Sequence, residues 1–184
     1  PAAQGCYAYD PNTGDEVWRI SYSGFSAVPQ PVFNGNMAYV VTDFGRPEIW
    51  AIDISGSGVL TEKDVKWKYN VTCPSTPSLI LKDGLLYFVA DKTGVASCIT
   101  ADTGELVWRD RIGGSFSTSP VATNDHIYFL DRTGVTSVLE LGREFKVVSR
   151  NTLESGCMAS PAIADNQLFI RTATHLYCIS QSKD

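Results

Sequence analysis

Nothing in this chain repeats at helical spacing, and no apolar run approaches the roughly 20 residues that a membrane-crossing helix requires. Charge of one sign is not concentrated either. The 15 Lys and Arg stand against 20 Asp and Glu, a formal net charge of −5, with no basic cluster. Counterion release on nucleic acid needs several cations on one face, so no nucleic-acid partner is expected. The 5 cysteines are an odd set without CxxC spacing, which gives no reason to expect a metal site. Only 2 histidines occur, His126 and His175, and no GxSxG turn accompanies them to present a nucleophilic serine. The opening residues Pro1-Ala2-Ala3-Gln4 carry neither an initiator Met nor a charged-then-apolar export signal, which leaves the compartment open.

What the chain does have is a recurring phrase. Its sharpest copy runs Ala8-Tyr9-Asp10-Pro11-Asn12-Thr13-Gly14-Asp15-Glu16-Val17-Trp18: a strand end, a Thr-Gly turn and a strand carrying Trp. The phrase returns from Cys98 through Thr103-Gly104 to Trp108, and in stretched form from Ala51-Ile52-Asp53 across an insertion to Trp67. In a fourth copy it degrades to Val138-Leu139-Glu140 followed by Phe145. A second anchor is proline, since Pro31, Pro77, Pro120 and Pro161 each open a short apolar strand at spacings of 46, 43 and 41 residues. Thr76, Ser119 and Ser160 precede the last three. A strand-only period in the low forties is the mark of a propeller blade, one four-stranded antiparallel sheet per repeat.

Each repeat spells out its turns. A hairpin at Asn34-Gly35, Asp83-Gly84, Asn124-Asp125 or Asp165-Asn166 is followed by a strand containing Tyr39, Tyr87, Tyr128 or Phe169. A polar turn comes next, and Asp43, Asp91 and Asp131 recur there as turn-capping residues. Small residues Ala8, Ala51, Cys98, Val138 and Cys178 hold one position of the following strand, where stacked blades approach closely. The Trp rings are expected to lie between blades, covering the turn of the adjacent repeat and donating the indole N–H to a backbone carbonyl.

These residues resemble the tryptophan-docking repeat of the quinoprotein-like (PQQ-type) β-propellers, Ala-x-Asp-x-x-Thr-Gly-x-x-x-Trp. Ala8, Asp10, Thr13, Gly14 and Trp18 match at every defined position, whereas Cys98 and Thr100 depart from it and Thr103, Gly104 and Trp108 keep it. Trp18, Trp67, Trp108, Gly14 and Gly104 are thereby assigned to structural docking. The resemblance implies an exported protein, periplasmic or extracellular, though the family spans several activities. It includes pyrroloquinoline-quinone dehydrogenases, a propeller lipoprotein that helps assemble bacterial outer-membrane proteins, and proteins that share only the repeat. Its enzymes hold quinone and Ca²⁺ on the propeller axis with an adjacent-Cys disulfide, a Trp platform and an Asp base. No Cys-Cys pair occurs here, so no cofactor is expected within this chain.

The expected architecture is all-β, about four and a half blades of a seven- or eight-bladed ring, over residues 1–184 as a single partial propeller. Residues 6–22 supply a half blade, 28–71, 76–112 and 118–150 supply full blades, and 159–180 a last blade lacking its outer strand. Starting mid-blade implies a parent protein with further blades at roughly 40 to 45 residues each. The partner of the open ends is then those blades or a second copy of the chain.

The loop face, where the repeats vary, is the expected ligand surface. Arg46, Lys92, Arg132 and Arg171 lie in or beside successive polar turns and form a candidate basic arc for an anionic ligand or an acidic peptide. Phe116 and Cys157 are candidates from the variable loops beside them. Cys73 and Cys157 share a register four residues before a Pro, on blades too far separated for a disulfide. No catalytic residue is assigned. The insertion Ser55–Asp64 reads as a mobile, tolerated surface loop. The leading function is a non-catalytic scaffold or binding module; the alternatives are a segment of a PQQ-dependent dehydrogenase and an outer-membrane assembly propeller.

Overall fold

The computed structural model describes residues 1–180, and every regular element in them is a β-strand. Strands β1 (Gly5–Tyr9) and β2 (Glu16–Ser21) form an N-terminal hairpin across the Thr13-Gly14 turn. Next come β3 (Val32–Asn34), β4 (Met37–Val41), β5 (Ile49–Asp53), the short β6 (Gly58–Leu60) and β7 (Val65–Tyr69). The first four-stranded blade is β3-β4-β5-β7. The second is built from β8 (Ile80–Lys82), β9 (Leu85–Val89), β10 (Val95–Thr100) and β11 (Leu106–Arg111). The third contains β12 (Val121–Ala122), β13 (His126–Leu130), β14 (Val135–Glu140) and β15 (Val147–Thr152). The last sheet has β16 (Ala162–Ala164), β17 (Gln167–Arg171) and β18 (Leu176–Ser180). The result is an all-β propeller arrangement, antiparallel within each four-stranded blade.

Burial explains the strand chemistry. A middle strand is covered on both faces by neighbouring blades, so β9, Leu-Leu-Tyr-Phe-Val, is buried throughout and shows no alternation. The outer strand β7 alternates, with Lys66 and Lys68 exposed and Trp67 turned inward. The hairpin turns carry the geometry their residues favour: Asp83-Gly84 and Asp165-Asn166 each place two successive residues at positive φ.

An inner ladder fixes the true register of the repeat. Gln30 N–H donates to Ser78 Oγ at 2.9 Å, Ser78 N–H to Ser119 Oγ at 3.0 Å, and Ser119 N–H to Ser160 Oγ at 2.8 Å. Strand pairing agrees, with Val32, Ile80, Val121 and Ala162 facing Tyr39, Tyr87, Tyr128 and Phe169. Leu79 therefore holds the place of Pro31, Pro120 and Pro161, and Pro77 lies two residues ahead of it. The supposed common register of Cys73 and Cys157 disappears with that shift.

The insertion is not a loose loop. Its residues Gly58–Leu60 form β6, which pairs in parallel with β2 through Trp18–Gly58, Arg19–Val59 and Ile20–Leu60. Leu60 is buried in the cluster around Trp18 and Ile52. The ends of the insertion are tied by side chains: Asp64 accepts from Thr61 N–H at 2.6 Å, and Asp53 accepts from the Ser55 hydroxyl at 2.7 Å. The Ser55 hydroxyl, with the Ser55 N–H and Lys66 adding to it, holds the Asp53 carboxyl down at about 2. An excursion of the first blade thus adds a third strand to the N-terminal hairpin.

Candidate functional site: the loop face

The loops that enter each blade meet the turns between its second and third strands. At the first blade this junction is built on one carboxylate. Asp43 accepts from the N–H groups of Phe25 at 3.1 Å, Phe44 at 2.7 Å, Gly45 at 3.2 Å and Arg46 at 3.1 Å. These bonds, Phe25 N–H first, depress the Asp43 pKa. Gly24 allows the close approach, because a Cβ there would stand 2.3 Å from the Thr42 carbonyl oxygen. The clasp presents two aromatic rings to solvent. Phe25 is 58% and Phe44 43% exposed, with centroids 6.2 Å apart. Arg46 stands beside them, lining one cavity of about 660 Å³ with Tyr22, Glu48 and Trp50 and another of about 410 Å³ with Asn70 and Thr72.

The other carboxylates do similar work. Asp91 accepts from Ser75 N–H at 2.6 Å, and Asp131 accepts from Thr133 N–H at 2.8 Å and Val135 N–H at 2.9 Å. Each is satisfied by turn or loop backbone, and none is paired with a second carboxylate for acid–base chemistry.

The sequence-derived candidates divide in two. Arg46, Lys92, Arg132 and Arg171 are all exposed. They do not occupy equivalent positions, since Arg171 ends β17 while Arg46 lies beyond the turn that follows β4. Arg132 is engaged, its Nε donating to Ser117 Oγ at 2.6 Å. Phe116 and Cys157 are not on the surface at all. They share one register position, where Phe116 N–H donates to the Asp91 carbonyl and Cys157 N–H to that of Arg132, and both side chains are buried, at 2% and 1% exposure. The entering loop dips into the core there, so these two side chains pack and do not face a ligand on the loop face. Cys157 Sγ donates to the Arg171 carbonyl at 3.2 Å, and burial raises its pKa. Burial also pushes Cys73 and Cys98 up to about 12, so these thiols stay protonated. All five cysteines are free.

The docking residues lie between blades. Trp67 Nε1 donates to the Ala101 and Asp102 carbonyls of the second blade at 3.1 and 3.0 Å. Gly104 is required twice over there: its φ is +72°, and a Cβ would stand 2.8 Å from the Trp67 ring. Gly14 has φ +78° but open space around it, so it serves the turn alone. Trp108 Nε1 donates to the Gly142 carbonyl at 3.1 Å, and Trp18 is buried against Ile52 and Leu60. Phe145 is not the fourth docking residue. Its ring packs 5.4 Å from Trp108 of the preceding blade, and the Trp position of the third blade, opposite Val138, is held by Ser149.

A basic residue after the docking position went unread in the sequence, although Arg19, Lys68, Arg109 and Arg150 repeat it. Lys68 Nζ lies 3.7 Å from the Trp50 ring centroid, Arg109 donates to the Tyr69 hydroxyl, and Arg150 donates to the Ile112 carbonyl at 2.6 Å. Arg109 and Arg150 thus bridge to the preceding blade, whereas Lys68 covers Trp50 opposite it on its own blade, and all three roles are structural.

Comparison with known proteins fits this geometry. The family model described as outer membrane protein assembly factor BamB matches residues 3–80 and 48–144. The chain belongs to this BamB family of quinoprotein-like propellers. The tetrathionate hydrolase of Acidithiobacillus ferrooxidans is 29% identical over 141 residues, 67% of this chain and 28% of that protein. BamB of Alkalilimnicola ehrlichii is 29% identical over 129 residues, 70% of this chain and 31% of the relative. The crystal structure of BamB from Moraxella catarrhalis superposes with a TM-score of 0.63 at 16% identity, covering 92% of this chain and 52% of that one. The chain therefore spans about a third or less of these curated relatives and half of the solved BamB. Among the described residues no three His, Cys, Asp or Glu side chains gather where a metal ion could be held.

Proposed function

We propose that this chain is part of a non-catalytic propeller scaffold that binds a protein on its loop face, in outer-membrane protein assembly, on the periplasmic side of an exported protein. The observation that carries the reading is the exposed Phe25–Phe44 pair near Arg46, whose backbone N–H groups Asp43 ties together. Two preordered aromatic rings flanked by an arginine have the composition of an interface hot spot, and a surface ordered beforehand loses little entropy on binding. Membership in the BamB family supports the choice of process. The turn carboxylates Asp43, Asp91 and Asp131 support a non-catalytic role, because each is committed to backbone N–H groups.

The test is a photo-crosslinking residue placed at position 25 or 44 of the complete protein in an outer-membrane fraction. Adducts with components of the assembly machinery, lost in Arg46→Glu, are the expected result. Absence of adducts together with quinone-dependent dye reduction on adding pyrroloquinoline quinone and Ca²⁺ would replace the scaffold reading with the dehydrogenase one.

A further inference from the structure

A cavity of about 560 Å³, open on one side and within the range of small-molecule pockets, lies between the third and last blades. Tyr128, Val138 and Asn151 line it from the third blade, and Leu168, Ile170 and Ile179 from the last. At the two interfaces before it an indole ring holds the corresponding position. Trp67 and Trp108 stand opposite the small residues Ala51 and Cys98 on their own blades. Ser149 stands opposite Val138 in the same way, after the same bulge, and a hydroxymethyl group replaces the ring. The remainder of the docking arrangement is kept. Tyr39 and Tyr87 lie 5.8 and 6.0 Å from their indoles, and Tyr128 holds their position without one. Asn151 Nδ2 donates to Ser149 Oγ at 3.2 Å, which sets an amide at the polar margin of the vacated space.

We propose that this cavity binds a planar aromatic ligand of indole size, seated between Tyr128 and the Leu168–Ile170 wall in the place a docking tryptophan takes elsewhere in the molecule. The apolar walls bury the ring, and the Thr136 and Asn151 side chains border its polar edge. An apolar cavity that the surrounding strands cannot collapse readily accepts such a guest. The shared chemistry has two sources, a free aromatic molecule and a tryptophan side chain carried on a peptide.

The experiment is a titration of the full chain with indole and, separately, with N-acetyltryptophanamide, read by calorimetry and by the shift in melting temperature. Saturable indole binding that raises the melting temperature is expected, kept in Ser149→Ala and weakened at least tenfold in Ser149→Trp and in Val138→Phe, which fill the cavity from two directions. Equal binding of the amide assigns the site to a peptide-borne ring, and binding of indole alone assigns it to a free ligand. Absence of saturable indole binding to the unmodified chain overturns the proposal, as does binding unchanged in both filling variants.

Discussion

The interface between the second and third blades carries an indole ring at the docking position, the one between the third and last carries Ser149 there, and the two differ in packing. In the former, Trp108 joins Tyr87, Cys98, Phe116, Ile127 and Leu139 in a continuous buried cluster, and its N–H reaches the Gly142 carbonyl. In the latter, the cluster of buried residues among those described is Leu130, Cys157 and Ile170, and a cavity lined by Tyr128, Val138 and Asn151 lies between the blades. Both interfaces keep the inner serine ladder and the loop bonds beneath the turns. The backbone scheme therefore sets where blades sit, and the docking indole sets how tightly they close.

Breaking the filled interface has the largest expected effect. Trp108→Ala removes a buried ring and its hydrogen bond, with an expected loss of about 3–5 kcal/mol in urea unfolding, whereas Ser149→Ala stays within about 0.5 kcal/mol. Next is Gly104→Ala, which meets both a positive φ and the Trp67 ring and loses about 1–3 kcal/mol. Gly14→Ala, strained but unobstructed, is expected to lose less than Gly104→Ala in the same assay. Filling the open interface has the opposite sign: Ser149→Trp gains about 0.5–2 kcal/mol. The smallest effect is a pH dependence. Asp43 has a depressed pKa in the folded chain, so its contribution is complete above the ordinary value of 3.8 and is lost as pH falls through the lower folded value. Unfolding measured from pH 5 downward is expected to show a shallower loss of stability in Asp43→Asn than in the unaltered chain.

The blades were legible in the sequence because their signals are local. A Thr-Gly or Asp-Gly turn between strands of fixed length encodes its own hairpin, and a Trp opposite Ala or Cys encodes a close approach. What was hidden depends on distant partners. Strand β6 exists because an excursion of the first blade finds the free edge of β2 some 40 residues earlier, and nothing in Gly58-Val59-Leu60 announces a parallel partner. Ser149 was missed in favour of Phe145 because the position opposite Val138 holds no aromatic residue, while the turn, one residue longer than that of the second blade, carries Phe145 onto Trp108. Phe116 and Cys157 looked like surface candidates because their loops vary, yet both fill a single buried position. On the loop face Arg46 was legible as a surface cation. The Phe25–Phe44 pair was not, since it depends on Asp43 drawing two separate segments together.

Native-state alkylation of Cys98 against Cys157, followed by mass spectrometry, tests the role of the docking ring most directly. Both thiols are buried, Cys98 in the filled interface and Cys157 in the open one. At least tenfold faster labelling of Cys157 is predicted, with the difference collapsing in Ser149→Trp; equal rates in the unaltered chain would contradict the claim that the missing indole loosens the last blade.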